Sequence, residues 1–391
     1  MDRVFELYVA NDDLERSATL TLPASAYEIV DILEQLGPTD RGDLYFKIEE
    51  RYKGESLADV LEDGITIREL NVLAWKLAEM DQEQEVILDG MIKMETPNSN
   101  DRLPYLKLLQ LTENTDCCHL VQESRNDSQL GRFYAENGFV EGLEELPDKV
   151  FEMLDFEEIG REMRLAEDGV FTSGGYVVRH EKLREMENIP NLDLRKPLYT
   201  IQLEIRKAGE RNGPRLNVEL PLSREKLKEI QAKYPREEYE YSCLDCAVPF
   251  LKEHISGADA ELQDINRLAW GMDFAQETGL LPKYKAVLQA VGCQDIELAA
   301  ELSRSQSLGE YRFTPPETLS GPVAYAKKWL QEKLGKDADL VTIRDWGDMS
   351  YHLMKRHHVE CTPYGLIQRT DGQPIQRLDQ AQVLGFQMGG M

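Results

Sequence analysis

The sequence predicts an α+β chain built as a tandem repeat, each copy placing small β-rich modules at its ends around a helical centre. Three observations carry this reading. Both halves open on an alternating strand pattern, short motifs recur in the same order in each half, and the stretch after the first strands has helical periodicity. The 391 residues are 41% hydrophobic, enough to bury a core, and the length suits two or three domains of about 100–200 residues.

The first module occupies about residues 1–55. VFELYVA alternates as a strand, and a second strand ends at Leu22-Pro23-Ala24-Ser25, where Ser25 is placed to cap the helix that follows. DLYFKIEERY reads as a third strand. Ile67, Leu70, Leu73, Ala74, Leu77 and Met80 then recur at helical spacing, the mark of a buried face. A second helix is expected over Glu83–Met94, a loop at 96–101, and helices at Ser128–Glu136 and Asp155–Leu165. Val170–Val178 reads as a closing strand, with Gly174-Gly175 at a turn or bulge. Glu181–Pro197 is the expected linker.

The second copy starts again with LYTIQLEI at Leu198, and Leu220-Pro221-Leu222-Ser223 repeats the first Leu-Pro-x-Ser. ELNVLAW from Glu69 pairs with DINRLAW from Asp264. Leu130-Gly131 pairs with Leu308-Gly309, and Asp155-Phe156 with Asp345-Trp346. GVFTSGGYVVR from Gly169 pairs with VECTPYGLIQR from Val359. The expected boundaries are 1–183 and 196–370, with 371–391 as a poorly ordered tail.

The charge divides unevenly between the copies. Acids outnumber bases by 72 to 45 overall, a net of −27, but residues 1–195 hold 44 acids and 20 bases. A net of −24 therefore falls in the first half and −3 in the second. So negative a chain lacks the basic footprint of a protein that binds nucleic acid directly, and it is unsuited to an anionic membrane. The opening MDRVFELYVAND has neither the apolar core nor the cleavage site of a signal peptide, and no run reaches the ~18 apolar residues of a membrane span. Six cysteines are too few for a disulfide scaffold. The expected location is the cytoplasm.

Motifs for chemistry are weak. Cys243-x-x-Cys246 has only His254 close by, while Cys361, His357 and His358 lie far along the chain; buried thiols at a helix start are the simpler reading. Adjacent helical residues such as His357 and His358 point about 100° apart, which favours a solvated turn over a shared metal ion. Cys117-Cys118-His119 fits a strand with partly buried thiols better than a nucleophile and base. Phosphate loops, nucleophile elbows and zinc-protease motifs are absent from the sequence, and the expectation is a protein without catalytic, cofactor-binding or metal residues.

The acids form clusters. Glu141, Glu144, Glu145, Asp148, Glu152, Asp155, Glu157 and Glu158 are opposed only by Lys149, and Glu162 follows. Glu79, Asp81, Glu83, Glu85 and Asp89 form a second window without a base. EF-hand spacing is missing, and a single such run is usually a solvated helix face. Recurrence in one copy and absence from the other is what solvation does not explain. Duplex DNA carries one charge per ~1.7 Å of axis, so −24 matches about 40 Å of duplex. Carboxylates accept Arg and Lys donors as phosphate oxygens do, so these residues suit a DNA decoy. The competing readings are a protein–protein adaptor acting through the near-neutral second copy, and, with the least support, a carboxylate–metal hydrolase.

Copy one also resembles the ArdA antirestriction family. The resemblance lies in ELYVAN, ITIRELNVLAWKLAEM, TDCCHLVQESRNDSQLGRFYAENG and LDFEEIGREMRLAEDGVFTSGGYV, over about residues 1–180. The tract Asp155–Glu162 is the most specific and Leu130–Tyr134 the next, although Ile159 stands where the family often has an aromatic residue. The resemblance implies an elongated acidic DNA mimic from a mobile genetic element that occupies the DNA site of type I restriction-modification enzymes. It also implies three small α/β modules per unit and, commonly, a homodimer. A tandem chain would supply its second unit in cis as a pseudo-dimer, or pair through copy two.

Overall fold

The structure, a computed structural model, describes residues 2–37, 44–98, 100–143, 146–186, 197–210, 213–257 and 260–378. It is α+β, with four three-stranded sheets among the described residues. The first sheet has the order β2-β1-β3, from β1 (Phe5–Asn11), β2 (Arg16–Leu22) and β3 (Tyr45–Arg51). Helix α1 (Ala26–Leu36) lies between β2 and β3 in sequence. Ser25 caps it as expected: its hydroxyl accepts from the Glu28 amide at 3.2 Å, and the Glu28 carboxylate accepts from the Ser25 amide at 2.7 Å.

The helical centre follows as α2 (Glu55–Asp59), α3 (Ile67–Glu79), α4 (Gln82–Glu95) and α5 (Tyr105–Thr112). Thr66 and Asp81 cap α3 and α4 with reciprocal bonds to Glu69 and Gln84. The expected face of α3 is buried at Leu70, Leu73, Ala74 and Leu77. Helix α5, whose Leu108, Leu109 and Leu111 are buried, is an addition to the expected elements, as is the short α2.

A second sheet closes the first half. It comprises β4 (Cys118–Val121), β5 (Val170–Phe171) and β6 (Tyr176–Arg179) in the order β4-β6-β5, with α6 (Asp127–Glu136), α7 (Asp148–Phe151) and α8 (Phe156–Glu167) between β4 and β5. The expected single strand over Val170–Val178 is instead a hairpin. The Thr172 hydroxyl donates to the Gly175 carbonyl at 2.9 Å, and the amides of Gly174 and Gly175 donate back to it. Gly175 has φ +150°, a conformation that favours glycine, so the glycine pair reverses the chain.

The second half gives β7 (Ile201–Lys207), β8 (Arg215–Leu220) and β9 (Tyr239–Cys246) in the order β8-β7-β9, with α9 (Arg224–Lys233) capped by Ser223. Helices α10 (Lys252–Gly257), α11 (Leu262–Glu277), α12 (Leu281–Val291), α13 (Ile296–Leu302) and α14 (Ser305–Gly309) follow. Then come β10 (Tyr311–Thr314), α15 (Pro322–Leu334), α16 (Trp346–His357), β11 (Val359–Thr362) and β12 (Gly365–Arg369), whose sheet order is β10-β12-β11. Details recur as well as order. Asp155 and Asp345 cap α8 and α16, and Asp168 and His358 end them in the left-handed conformation. The Thr362 hydroxyl bonds the Gly365 carbonyl at 2.8 Å, as Thr172 does Gly175. One sequence pairing fails: Leu130-Gly131 lies in α6, after β4, whereas Leu308-Gly309 ends α14, before β10.

The chain forms two compact units. The first is Met1–Leu7, Thr21–Pro23 and Phe46–Asp193, and the second is Tyr8–Leu20, Ala24–Tyr45 and Leu194–Met391. Helix α1 thus belongs to the second unit. There Tyr27 is fully buried and donates to the Tyr199 carbonyl at 2.5 Å. Lys285 of α12, also fully buried, binds Asp31 and Glu34 of α1 at 2.6 Å each, and the Tyr364 hydroxyl donates to Asp31 at 3.0 Å. Ile375 is buried in the same core, while 379–391 and linker residues 187–196 lie outside the described residues.

Candidate functional site

The first unit holds 36 acids against 17 bases, a net of −19, and the second 36 against 28, a net of −8. The acidic excess therefore persists when the chain is divided by its fold.

Most described acids of the two windows fall at helix ends, while Asp89 lies within α4 and Glu141 in a turn. Glu79 closes α3, and Asp81, Glu83 and Glu85 surround the start of α4. Asp148 opens α7, Asp155 caps α8, and Glu157 and Glu158 stand in the first turn of α8. Apart from Glu79, which sits at a C-terminus, acids suit these places because a helix N-terminus carries partial positive charge and unpaired amides. The Asp155 carboxylate accepts from the Glu158 amide at 3.1 Å, and that of Asp81 from the Gln84 amide at 2.9 Å.

Others are ion-paired. Arg132 of α6 takes Glu152 through both guanidinium ends, at 3.3 and 3.0 Å, which holds that carboxyl below its usual range. The guanidinium also lies 4.6 Å from the centre of the Phe156 ring. Lys53 binds Glu85 at 2.9 Å, and Arg161 binds Glu158. Glu79, Glu83, Glu141, Asp148, Glu157 and Glu162 are exposed, and none forms an ion pair with another described residue. Glu144 and Glu145 lie outside the described residues. The apolar side chains of Val150, Met153 and Leu165 are exposed among these acids.

Asp89, like Glu85, is not fully exposed. It is partly buried, and burial pushes its carboxyl up, against a hydrogen bond from Ser56 and the charge of Lys93; Glu85 and Glu55 push the same way as burial. A raised carboxyl stabilises the fold most when protonated, and that contribution is lost as pH rises through the native pKa. Asp89→Asn is therefore expected to raise the urea midpoint at pH 7, with the gain shrinking on acidification through the carboxylate range. A gain independent of pH would contradict burial as the cause.

Two glycines set the frame beneath the α7–α8 acids. A Cβ on Gly131 would lie 1.8 Å from the Phe156 carbonyl oxygen, and one on Gly160 would lie 1.8 Å from that of Asp127. Helices α6 and α8 thus touch backbone to backbone, which requires glycine on both. Arg164 clamps Asp127 at 2.8 and 3.1 Å, and Tyr134 and Tyr176 both donate to the Glu167 carboxylate, at 2.7 and 3.1 Å. Both tyrosine hydroxyls are pushed up, first by burial and further by Glu167.

The sequence candidates for metal or nucleophile chemistry separate. Cys243 and Cys246 are buried on β9, a strand instead of the expected helix start, and Cys246 is pushed well up by burial. Cys117 and Cys118 are buried at the start of β4, and burial raises Cys118. His357 is no solvated turn: it ends α16, half-buried, with its Nδ1 2.7 Å from the Tyr325 hydroxyl. Among the described residues no three His, Cys, Asp or Glu converge as a metal site, and no helix is long and apolar enough to cross a membrane. A scan against family models finds no match, and a search of curated proteins finds none either.

Proposed function

We propose that the chain is an antirestriction inhibitor, a tandem repeat of ArdA-like units whose acidic first unit mimics DNA and occupies the DNA-binding site of a type I restriction-modification enzyme. The observation that carries this reading is the concentration of the acidic excess in the first unit, −19 against −8, with a set of its carboxylates exposed at helix ends. Unpaired carboxylates carried mostly on helices have fixed points of attachment and remain available to the Arg and Lys side chains of a DNA channel. Capped and ion-paired acids such as Asp155 and Glu152 have part of their hydrogen-bonding capacity already in use. The exposed apolar side chains between them supply dry contact. In this reading the partner is a protein, reached without cofactor, catalysis, membrane or direct nucleic-acid contact, and the second unit serves for self-association.

Charge distributed in this way acts cumulatively. Glu157→Gln alone is expected to leave inhibition of a type I restriction enzyme near wild type. Joint neutralisation of Glu79, Glu83, Glu141, Asp148, Glu157 and Glu162 should weaken it by at least tenfold in 0.1 M salt, a range where exposed charges are already screened beyond ~10 Å. The full chain is the proper reagent, because Tyr8–Leu20 and Ala24–Tyr45 fold with the second unit. Undiminished inhibition by the six-fold variant, persisting in high salt, would favour an adaptor acting through the second half.

A further inference from the structure

The second unit contains a cavity of about 370 Å³ between α15, the end of α16 and one face of the β10-β12-β11 sheet. Its floor is Val359 and Leu366, its wall carries Tyr325, Trp329 and His357, and its rim holds Arg312, Lys328, Gln368 and Glu332. The sheet register explains the mixture. Arg312 lies opposite Gln368 and Thr314 opposite Leu366, so both pairs alternate onto the same face.

The corresponding place in the first unit is filled. Leu366 follows the turn glycine Gly365 as Tyr176 follows Gly175, and Tyr176 is fully buried with its hydroxyl on Glu167. Gly169 makes room for that ring, since a Cβ there would meet the Tyr176 hydroxyl at 2.0 Å; Val359 holds this place after His358. Gly160, five residues beyond the cap of α8, is matched by Ser350, five beyond the cap of α16. A leucine thus replaces the filling tyrosine, and a serine replaces the glycine that draws the helices together.

We propose that this cavity binds a free nucleoside monophosphate whose base carries an exocyclic amine. Each part of the ligand has a counterpart in the lining. A flat base suits the Trp329 and Tyr325 rings over an apolar floor. The Glu332 carboxylate accepts from an exocyclic amine, as acidic side chains do from cytosine. Arg312 and Lys328, both exposed and without an ion pair to a described residue, take the phosphate. Tyr325 and His357 hold each other in place, so the wall is formed before a ligand arrives. The volume lies within the ~300–1,000 Å³ of small-molecule sites. This proposal is independent of the acidic-surface reading.

Calorimetry on the full chain tests it, with AMP, UMP, adenosine, inorganic phosphate and a short oligoadenylate as probes. AMP is expected to bind, with UMP at least fivefold weaker and adenosine and phosphate each at least tenfold weaker. Arg312→Gln, on an exposed strand position, should weaken AMP at least tenfold and leave restriction inhibition unchanged. The double variant Val359→Gly with Leu366→Tyr should block binding by filling the cavity as the first unit does. Failure of AMP to bind at millimolar concentration would overturn the proposal, as would equal affinity in Arg312→Gln. Tighter binding of the oligoadenylate, in competition with AMP, would overturn the assignment to a free nucleotide.

Discussion

Gly160→Ala is expected to lower stability by about 3 kcal/mol or more, the upper range for overpacking, because the added methyl falls 1.8 Å from a backbone oxygen. A flexible side chain could turn aside, but a helix backbone moves only as a whole. The shift would separate α6 from α8 and disturb the Arg164–Asp127 clamp and the Glu167–tyrosine cluster beside it. Gly131→Ala should behave alike. Gly309→Ala is the control: it has the same Leu-Gly sequence context, yet nothing lies within 4 Å of its added Cβ. Urea unfolding of the three variants checks the contrast, and similar midpoints for Gly160→Ala and Gly309→Ala would refute the backbone contact.

The second large effect is expected at Lys285. Removing one partner from a buried ion pair costs about 3–5 kcal/mol, because the remaining charge stays buried without compensation. Lys285→Met leaves Asp31 buried against the Tyr364 hydroxyl with no cation, and should lower the urea midpoint of the second unit accordingly. Adding Asp31→Leu and Glu34→Leu removes the orphaned carboxylates and should recover most of the loss. If the triple variant is no more stable than Lys285→Met alone, packing at this site, and not charge, controls the effect.

These positions show where sequence reasoning reaches and where it stops. Helix starts are legible because a cap and its partner lie three residues apart, as Ser25 and Glu28 do, and Asp155 and the Glu158 amide. The face of α3 is legible because burial repeats with the helical period. Short elements such as α2 and α7 contain too few residues to show a period. The β5–β6 hairpin is half legible: Gly174-Gly175 marks the turn, but β5 is two residues long and too short to show as a separate strand. In the acidic surface, composition reveals the acids but not which are occupied, since Arg132 and Glu152 are twenty residues apart and Lys53 and Glu85 thirty-two. The cavity is hidden for the same reason: Arg312, Trp329 and Leu366 converge only through the sheet and helix that carry them.

The membership of α1 in the second unit bears on how the polypeptide is made. Tyr364 reaches Asp31 across 333 residues. At about 5–20 residues per second, the ribosome delivers that partner some 15–70 s after the helix itself. During that interval Tyr27 has left the exit tunnel without the core that later covers it, and Asp31 without the Lys285 and Tyr364 groups that later bind it. The nascent chain therefore carries an apolar, carboxylate-bearing segment that must stay unaggregated until the last sheet emerges. Translation speed and chaperone supply, more than the intrinsic strength of the finished core, are then expected to set the yield of active molecules.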